Sequence, residues 1–295
     1  MGKRILLFIV TNIAIVFTLS IVLRLLGVDR YVAGAGLNIG SLATFCFVWG
    51  MGGAFISLQM SRFIAKRATG ARTIDGRTGQ QELDWLYETV GKLTRQANLP
   101  MPEVAVYDSP EVNAFATGPS RSRSLVAVSS GLLRSMQPHE VEGVLAHEVA
   151  HIANGDMVTM TLLQGVINAF VMFLARIIAF AVSRSDDRRG NGTQFMLIMV
   201  LQIGLGILGS MITAWFSRHR EFRADAGGAS LAGQNNMVAA LKRLLANQGT
   251  VDTRHQSLAT LKISGARGWM AFFSTHPPLE QRIAALEARA SSRPS

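Results

Sequence analysis

The chain has 295 residues, 49% hydrophobic and only 16% charged, with a formal net charge of +10 and one cysteine. That mixture is too apolar for an ordinary soluble protein of this length and indicates a membrane class. A single cysteine, Cys46, excludes an intrachain disulfide framework and reads as a small buried hydrophobe, while arginines scattered between apolar stretches, without a basic stripe, argue against a nucleic-acid partner.

The first expected element is an uncharged run at 5–23, ILLFIVTNIAIVFTLSIVL, about long enough as a helix to cross a hydrocarbon core of roughly 30 Å. Lys3 and Arg4 precede it as in a signal peptide, but the run exceeds a usual signal core. No small-residue cleavage site follows before Arg24, so it is read as an uncleaved anchor. A second span is expected within 32–59, where Gly36 and Gly40 would let another helix approach closely. Arg62, Lys66, Arg67, Arg72 and Arg77 follow it, placed to meet anionic lipid headgroups and to retain that end in the cytoplasm.

A soluble stretch then mixes two periodicities. Leu83, Leu86, Tyr87, Val90 and Leu93 recur at helical spacing within 82–98. Residues 104–107, 113–117 and 125–129 are short β-like runs separated by Ser-Pro and Gly-Pro turns, which predicts a small sheet. A helix beginning near Pro138 carries HEVAH at 147–151. Span three is expected at 157–183, with Arg176 extending its guanidinium toward the interface, and span four at 194–216, ending on Trp215. Further helices are expected at 236–247 and 278–290. Four spans put both termini on one side, and the basic clusters make that side cytoplasmic, although segments 24–31 and 184–193 opposite also carry arginines. The expected organisation is a hairpin of spans at 1–61, a first part of a cytoplasmic domain at 62–156, a second hairpin at 157–216 and the rest of the domain at 217–295.

HEVAH carries the chemistry. His147 and His151 lie four residues apart on one helix face, so both imidazoles reach a single Zn²⁺ at about 2.0–2.1 Å. Glu148, rotated by about 100°, can address the metal's water without being a ligand. Zinc held there would lower the pKa of water toward about 7; Glu148 would take the proton and return it to the leaving amine of a cleaved peptide. A catalytic zinc wants a third protein ligand and an open fourth position. Glu221, in RHREFRAD just beyond span four, is a carboxylate that two crossings return to the face bearing HEVAH. Asp225 follows by four residues, shares its helix face and is expected to hydrogen-bond a ligating histidine. His276 in STHPP, held by Pro277 and Pro278 ahead of a helix, suits a catalytic group aimed at the developing oxyanion. His139, His219 and His255 read as solvated surface residues.

NAFATG at 113–118, HEVAHIANGD at 147–156, EFRAD at 221–225 and STHPP at 274–278 occur here with two hairpins of spans. In that combination nearly the whole chain resembles the HtpX-type membrane proteases of the M48 metallopeptidases. The resemblance implies a mainly α integral membrane protein, four transmembrane helices with a cytoplasmic gluzincin-like α+β metalloprotease domain. It implies one Zn²⁺ per chain with Glu221 as third ligand, a bacterial inner membrane, and stress-associated removal of misfolded or damaged membrane proteins. It also implies that Asn113, Ala114, Phe115 and Ala116 lie on an edge strand that pairs with substrate backbone. A metal transporter is disfavoured because no span core carries an acid or a histidine, and a structural-zinc scaffold because a closed four-ligand site would leave Glu148 without use.

Overall fold

The computed structural model describes residues 39–183, 191–247 and 276–291; the expected first span, Gly36, His255 and most of the 184–193 segment lie outside them. The elements in chain order are α1 (Ile39–Thr69), β1 (Arg72–Ile74), α2 (Gln81–Gln96), β2 (Glu103–Tyr107), β3 (Ala114–Ser120) and β4 (Arg123–Ser129). They continue with α3 (Ser130–Ser135), α4 (Pro138–Asn154), α5 (Asp156–Ser183), α6 (Asn191–Ala232), α7 (Gln234–Ala246) and α8 (Leu279–Ser291).

Among the described residues three helices are long and apolar enough to cross a membrane: Gly40–Thr69, Asp156–Phe180 and Gly192–Ala232. Their large apolar side chains, including Phe47, Phe55, Phe170 and Leu208, point outward, the arrangement a hydrocarbon solvent permits and water does not. The protein is therefore a multi-pass membrane protein, mostly helical, with one small sheet.

The chain divides into two compact units, Met1–Ile56 with Thr161–Ile212 and Ser57–Met160 with Thr213–Ser295. Within the first, α1 and α5 meet almost backbone to backbone: a Cβ on Gly50 would lie 2.6 Å from the amide nitrogen of Ala169. Small residues at such a crossing bring helices close enough for dispersion contacts to hold them in lipid. Arg176 donates through Nη1 to the Met172 carbonyl at 3.0 Å.

The second unit is built on a four-stranded sheet of order β1-β2-β4-β3. β2 and β4 run parallel, and β1 and β3 flank them antiparallel, with Phe115 opposite Ala127 and Ala116 opposite Val126. β1 is only three residues long, too short to leave an alternating pattern in the sequence. β3 continues to Ser120 through Gly118 and Pro119, which the sequence suggested as a turn. An edge strand tolerates a proline that donates no ladder bond, and the ladder slips between Thr117 and Ser120. Gly118 at φ 148° sits where a Cβ would fall within contact of the Arg123 carbonyl, so only glycine fits.

The core places α4 at its centre. Leu86, Val90 and Leu93 of α2, Val126 and Val128 of β4, Met237 and Leu241 of α7, and Ile283 and Leu286 of α8 all join the cluster that surrounds Val144, Leu145, Val149 and Ile152. Every residue from Gly143 to Ile152 is buried. Arg62 and Lys66 are not simply solvated toward lipid headgroups, because both pair with Glu103 of β2 and tie the end of α1 to the sheet.

Candidate metal centre

α4 is sharply delimited. Pro138 occupies its first turn, Gln137 and Glu140 form a reciprocal capping box, and Gly155 at φ 70° ends it in the left-handed conformation. α5 starts at once with Asp156, so the turn at Gly155 returns the Asp156 carboxylate to His151, Nδ1 to Oδ2 at 2.7 Å. α6 runs without a break from its apolar portion through Glu221 and Asp225. Gly228 lies seven residues beyond Glu221 on the same stripe, and the missing side chain lets α6 press on α4: a Cβ there would stand 3.0 Å from the His147 amide nitrogen.

Three potential donors converge. His147 Nε2 and His151 Nε2 are 3.0 Å apart, and Glu221 places Oε2 3.5 Å from the first and Oε1 3.3 Å from the second. Atoms bound at about 2.0–2.1 Å to one tetrahedral ion lie about 3.3–3.4 Å apart, so the triangle has the dimensions of a zinc face. His147 Nδ1 contacts Asp225 Oδ1 at 2.9 Å, as His151 Nδ1 contacts Asp156. A carboxylate only accepts, so both Nδ1 atoms carry a proton, and it is the Nε2 atoms that face inward and would become donors to a cation once deprotonated. The two inward Nε2 atoms and the Glu221 Oε1, buried and without a hydrogen-bond partner among the described residues, form a donor set that fits a divalent cation. Burial and the Arg282 guanidinium oppose a proton on His147, yet hydrogen bonds to Asp225 and Glu221 outweigh them and carry its pKa up to about 9. Burial likewise opposes protonation of His151, and the charge of Glu221 prevails and raises its pKa.

Glu148 is 5% exposed on the same helix and outside the donor triangle. His276 lies against the centre, with Nδ1 2.8 Å from Glu221 Oε2. Asn113 directly precedes β3; its Nδ2 donates to the Tyr107 hydroxyl at 3.0 Å. Ala114 and Phe115 are buried and Ala116 half-buried, so this stretch turns side chains inward and, among the described residues, pairs only with β4. His139 and His219 are exposed, the latter with its ring tilted against Trp215.

Two participants were not expected. Asp156 stood inside the HEVAHIANGD run, but helical spacing cannot relate it to His151 across a helix end. Arg282 is 1% exposed, binds Asp225 through Nε at 2.8 Å and Nη2 at 2.6 Å, and gives no local signal at all in QRIAALEAR.

The sequence pattern of Peptidase family M48 matches residues 80–290. A protease HtpX homolog of Janthinobacterium sp. (strain Marseille) is 54% identical, covering 97% of this chain and 99% of its own length. Protease HtpX of Idiomarina loihiensis is 52% identical with the same coverage. The crystal structure of S. mikatae Ste24p aligns with a TM-score of 0.60 at 19% identity, over 97% of this chain and 66% of that one, a likeness of fold.

Proposed function

Because the chain belongs to peptidase family M48 and is an HtpX-type membrane metalloendopeptidase, we propose that His147, His151 and Glu221 hold one Zn²⁺ per chain and that Glu148 is its general base. The observation that carries this reading is the convergence of three donors at 3.0–3.5 Å with each histidine backed by its own aspartate. When bound, the ion supplies a Lewis acid that acidifies water and polarises a peptide carbonyl.

The protein's own groups do the rest. Asp225 and Asp156 keep the protons on Nδ1 and so keep both Nε2 atoms available as ligands. Glu148 accepts the proton of the attacking water and delivers it to the leaving amine nitrogen, one carboxylate serving in both directions. His276, against Glu221, meets the oxyanion that develops on the carbonyl oxygen. The edge of β3 from Asn113 to Ala116 adds the substrate as a further strand. With Ala114 and Phe115 committed to the core, recognition goes through backbone hydrogen bonds and reads little side-chain sequence. Such a mode suits misfolded or damaged membrane proteins, which share exposed backbone and little else. We place the centre on the cytoplasmic face of a bacterial inner membrane. The domain is then formed by 62–156 and 217–295, between and after hairpins at 1–61 and 157–216.

The test is zinc content and casein hydrolysis in detergent, with and without chelator, for the wild type and Glu148→Gln. Wild type should hold one zinc and cut casein until chelated; Glu148→Gln should hold the same zinc and not cut. Equal turnover by the two proteins removes Glu148 from the mechanism.

A further inference from the structure

α8 contributes a group to this centre that its sequence does not announce. Arg282 is almost wholly buried, and burying a guanidinium is costly unless its charge and donors are met. It spends its planar fork on Asp225, Nε to Oδ2 at 2.8 Å and Nη2 to Oδ1 at 2.6 Å. Oδ1 is also the atom that His147 Nδ1 meets at 2.9 Å. Guanidinium, carboxylate and imidazole are thus linked toward His147 Nε2, and Arg282 Nη2 also stands 3.3 Å from His147 Nδ1 itself. The remaining nitrogen, Nη1, has no hydrogen-bond partner among the described residues and lies 3.4 Å from Glu221 Oε2.

We propose that Arg282 is a positioning residue of the metal centre: by fixing the Asp225 carboxylate it fixes the His147 ring as a ligand, and so sets the affinity for zinc. The inference rests on the assignment of His147, His151 and Glu221 as ligands. The second histidine supplies an internal comparison. His151 is backed by Asp156, and Asp156 by Arg223 at 3.0 Å, but the Arg223 side chain is 61% exposed and meets the carboxylate through Nη2 alone. Solvent screens that pair, so the two chains of contacts are alike in chemistry and unequal in strength. Lysine cannot replace Arg282: it keeps the charge but is a point donor that leaves one carboxylate oxygen unheld.

The experiment uses the full-length chain in detergent, with zinc affinity from competition against a chromogenic chelator, the visible spectrum of the Co²⁺-loaded protein, and melting of the chelator-treated protein. Arg282→Lys and Arg282→Met should lower zinc affinity by about 10- to 100-fold and shift the cobalt bands, with metal-free melting retained. Arg223→Gln should lose less. In an Asp225→Asn background, Arg282→Lys should cost clearly less than it does in the wild type, because most of its effect passes through the shared carboxylate. Fully additive losses, a larger loss from Arg223→Gln, or wild-type affinity and cobalt bands in either folded Arg282 variant would overturn the inference. So would failure of both Arg282 variants to fold, which would make the residue structural alone. If the wild type itself takes up no zinc, the ligand assignment fails instead.

Discussion

Gly228→Ala tests how Glu221, the proposed third ligand, is brought to His147 and His151. The added Cβ would meet the His147 amide nitrogen at 3.0 Å and Cα at 3.2 Å, and ordinary contact begins at 3.4 Å. The flexible Met237 sulfur at 2.9 Å can move aside; the α4 backbone, buried on all sides, cannot. α6 must then retreat by about 0.4 Å at this point, against a tolerance of roughly 0.2 Å in metal–ligand distances. Overpacking of this kind costs about 1–3 kcal/mol, and taken from ligand geometry it lowers zinc affinity about 5- to 150-fold. Melting of the metal-free protein should change less, because alanine returns about 1 kcal/mol of helix propensity in α6. Chelator competition and chelated melting curves measure the two quantities separately. Unchanged zinc affinity in Gly228→Ala would refute the view that this contact sets the distance between Glu221 and the histidines.

Glu221→Ala should lose zinc and activity together, whereas Asp225→Asn should keep the metal with about 10- to 100-fold weaker affinity, both read by zinc titration; stoichiometric zinc at full affinity in Glu221→Ala would send the search for the ligand to His276. Gly91→Ala supplies the opposite sign: its Cβ would make only ordinary contacts, the nearest being the flexible Arg95 at 3.4 Å, so α2 should gain about 0.5–1 kcal/mol in a denaturation curve with zinc affinity unchanged. A Gln80→Cys substitution in a Cys46→Ala background places a thiol at an exposed position of the unit that carries the metal centre. An impermeant maleimide should label it only after the inner membrane is opened, and labelling of intact spheroplasts would reverse the proposed orientation.

The parts of the centre legible in the sequence are those that lie on one helix. His147 and His151 share a face because four residues make a turn, and Glu221 and Asp225 do so for the same reason. Arg282 escaped because burial of a lone arginine in an amphipathic helix is decided by what packs on it, here α6 and α7, and neither leaves a mark in the local pattern. Asp156 escaped because Gly155 breaks the helical register between it and His151. The end of the fourth expected span was set by hydrophobicity at Phe216, but the helix continues to Ala232, since RHREFRAD contains no residue that would stop it. Pairing of Arg62 and Lys66 with Glu103 was likewise invisible, for the partner lies 41 and 37 residues away.

The short connection at Gly155 has a consequence during synthesis. Both histidines, Glu148 and the Asp156 that orients His151 lie within ten consecutive residues, so they leave the ribosome together. Glu221 follows His151 by 70 residues, about 4–14 s later at usual elongation rates, and His276 and Arg282 come later still. On the proposed assignment, a nascent chain would carry the general base and two ligands without the third through the whole interval in which α5 and most of α6 are being made. Two ligands hold a metal weakly, so the proposed centre would stay inert while the chain's own unfolded segments are exposed beside it. Activity would then arrive only with the Glu221 carboxylate toward the end of α6, which would make completion of the apolar part of α6 a condition of the first turnover.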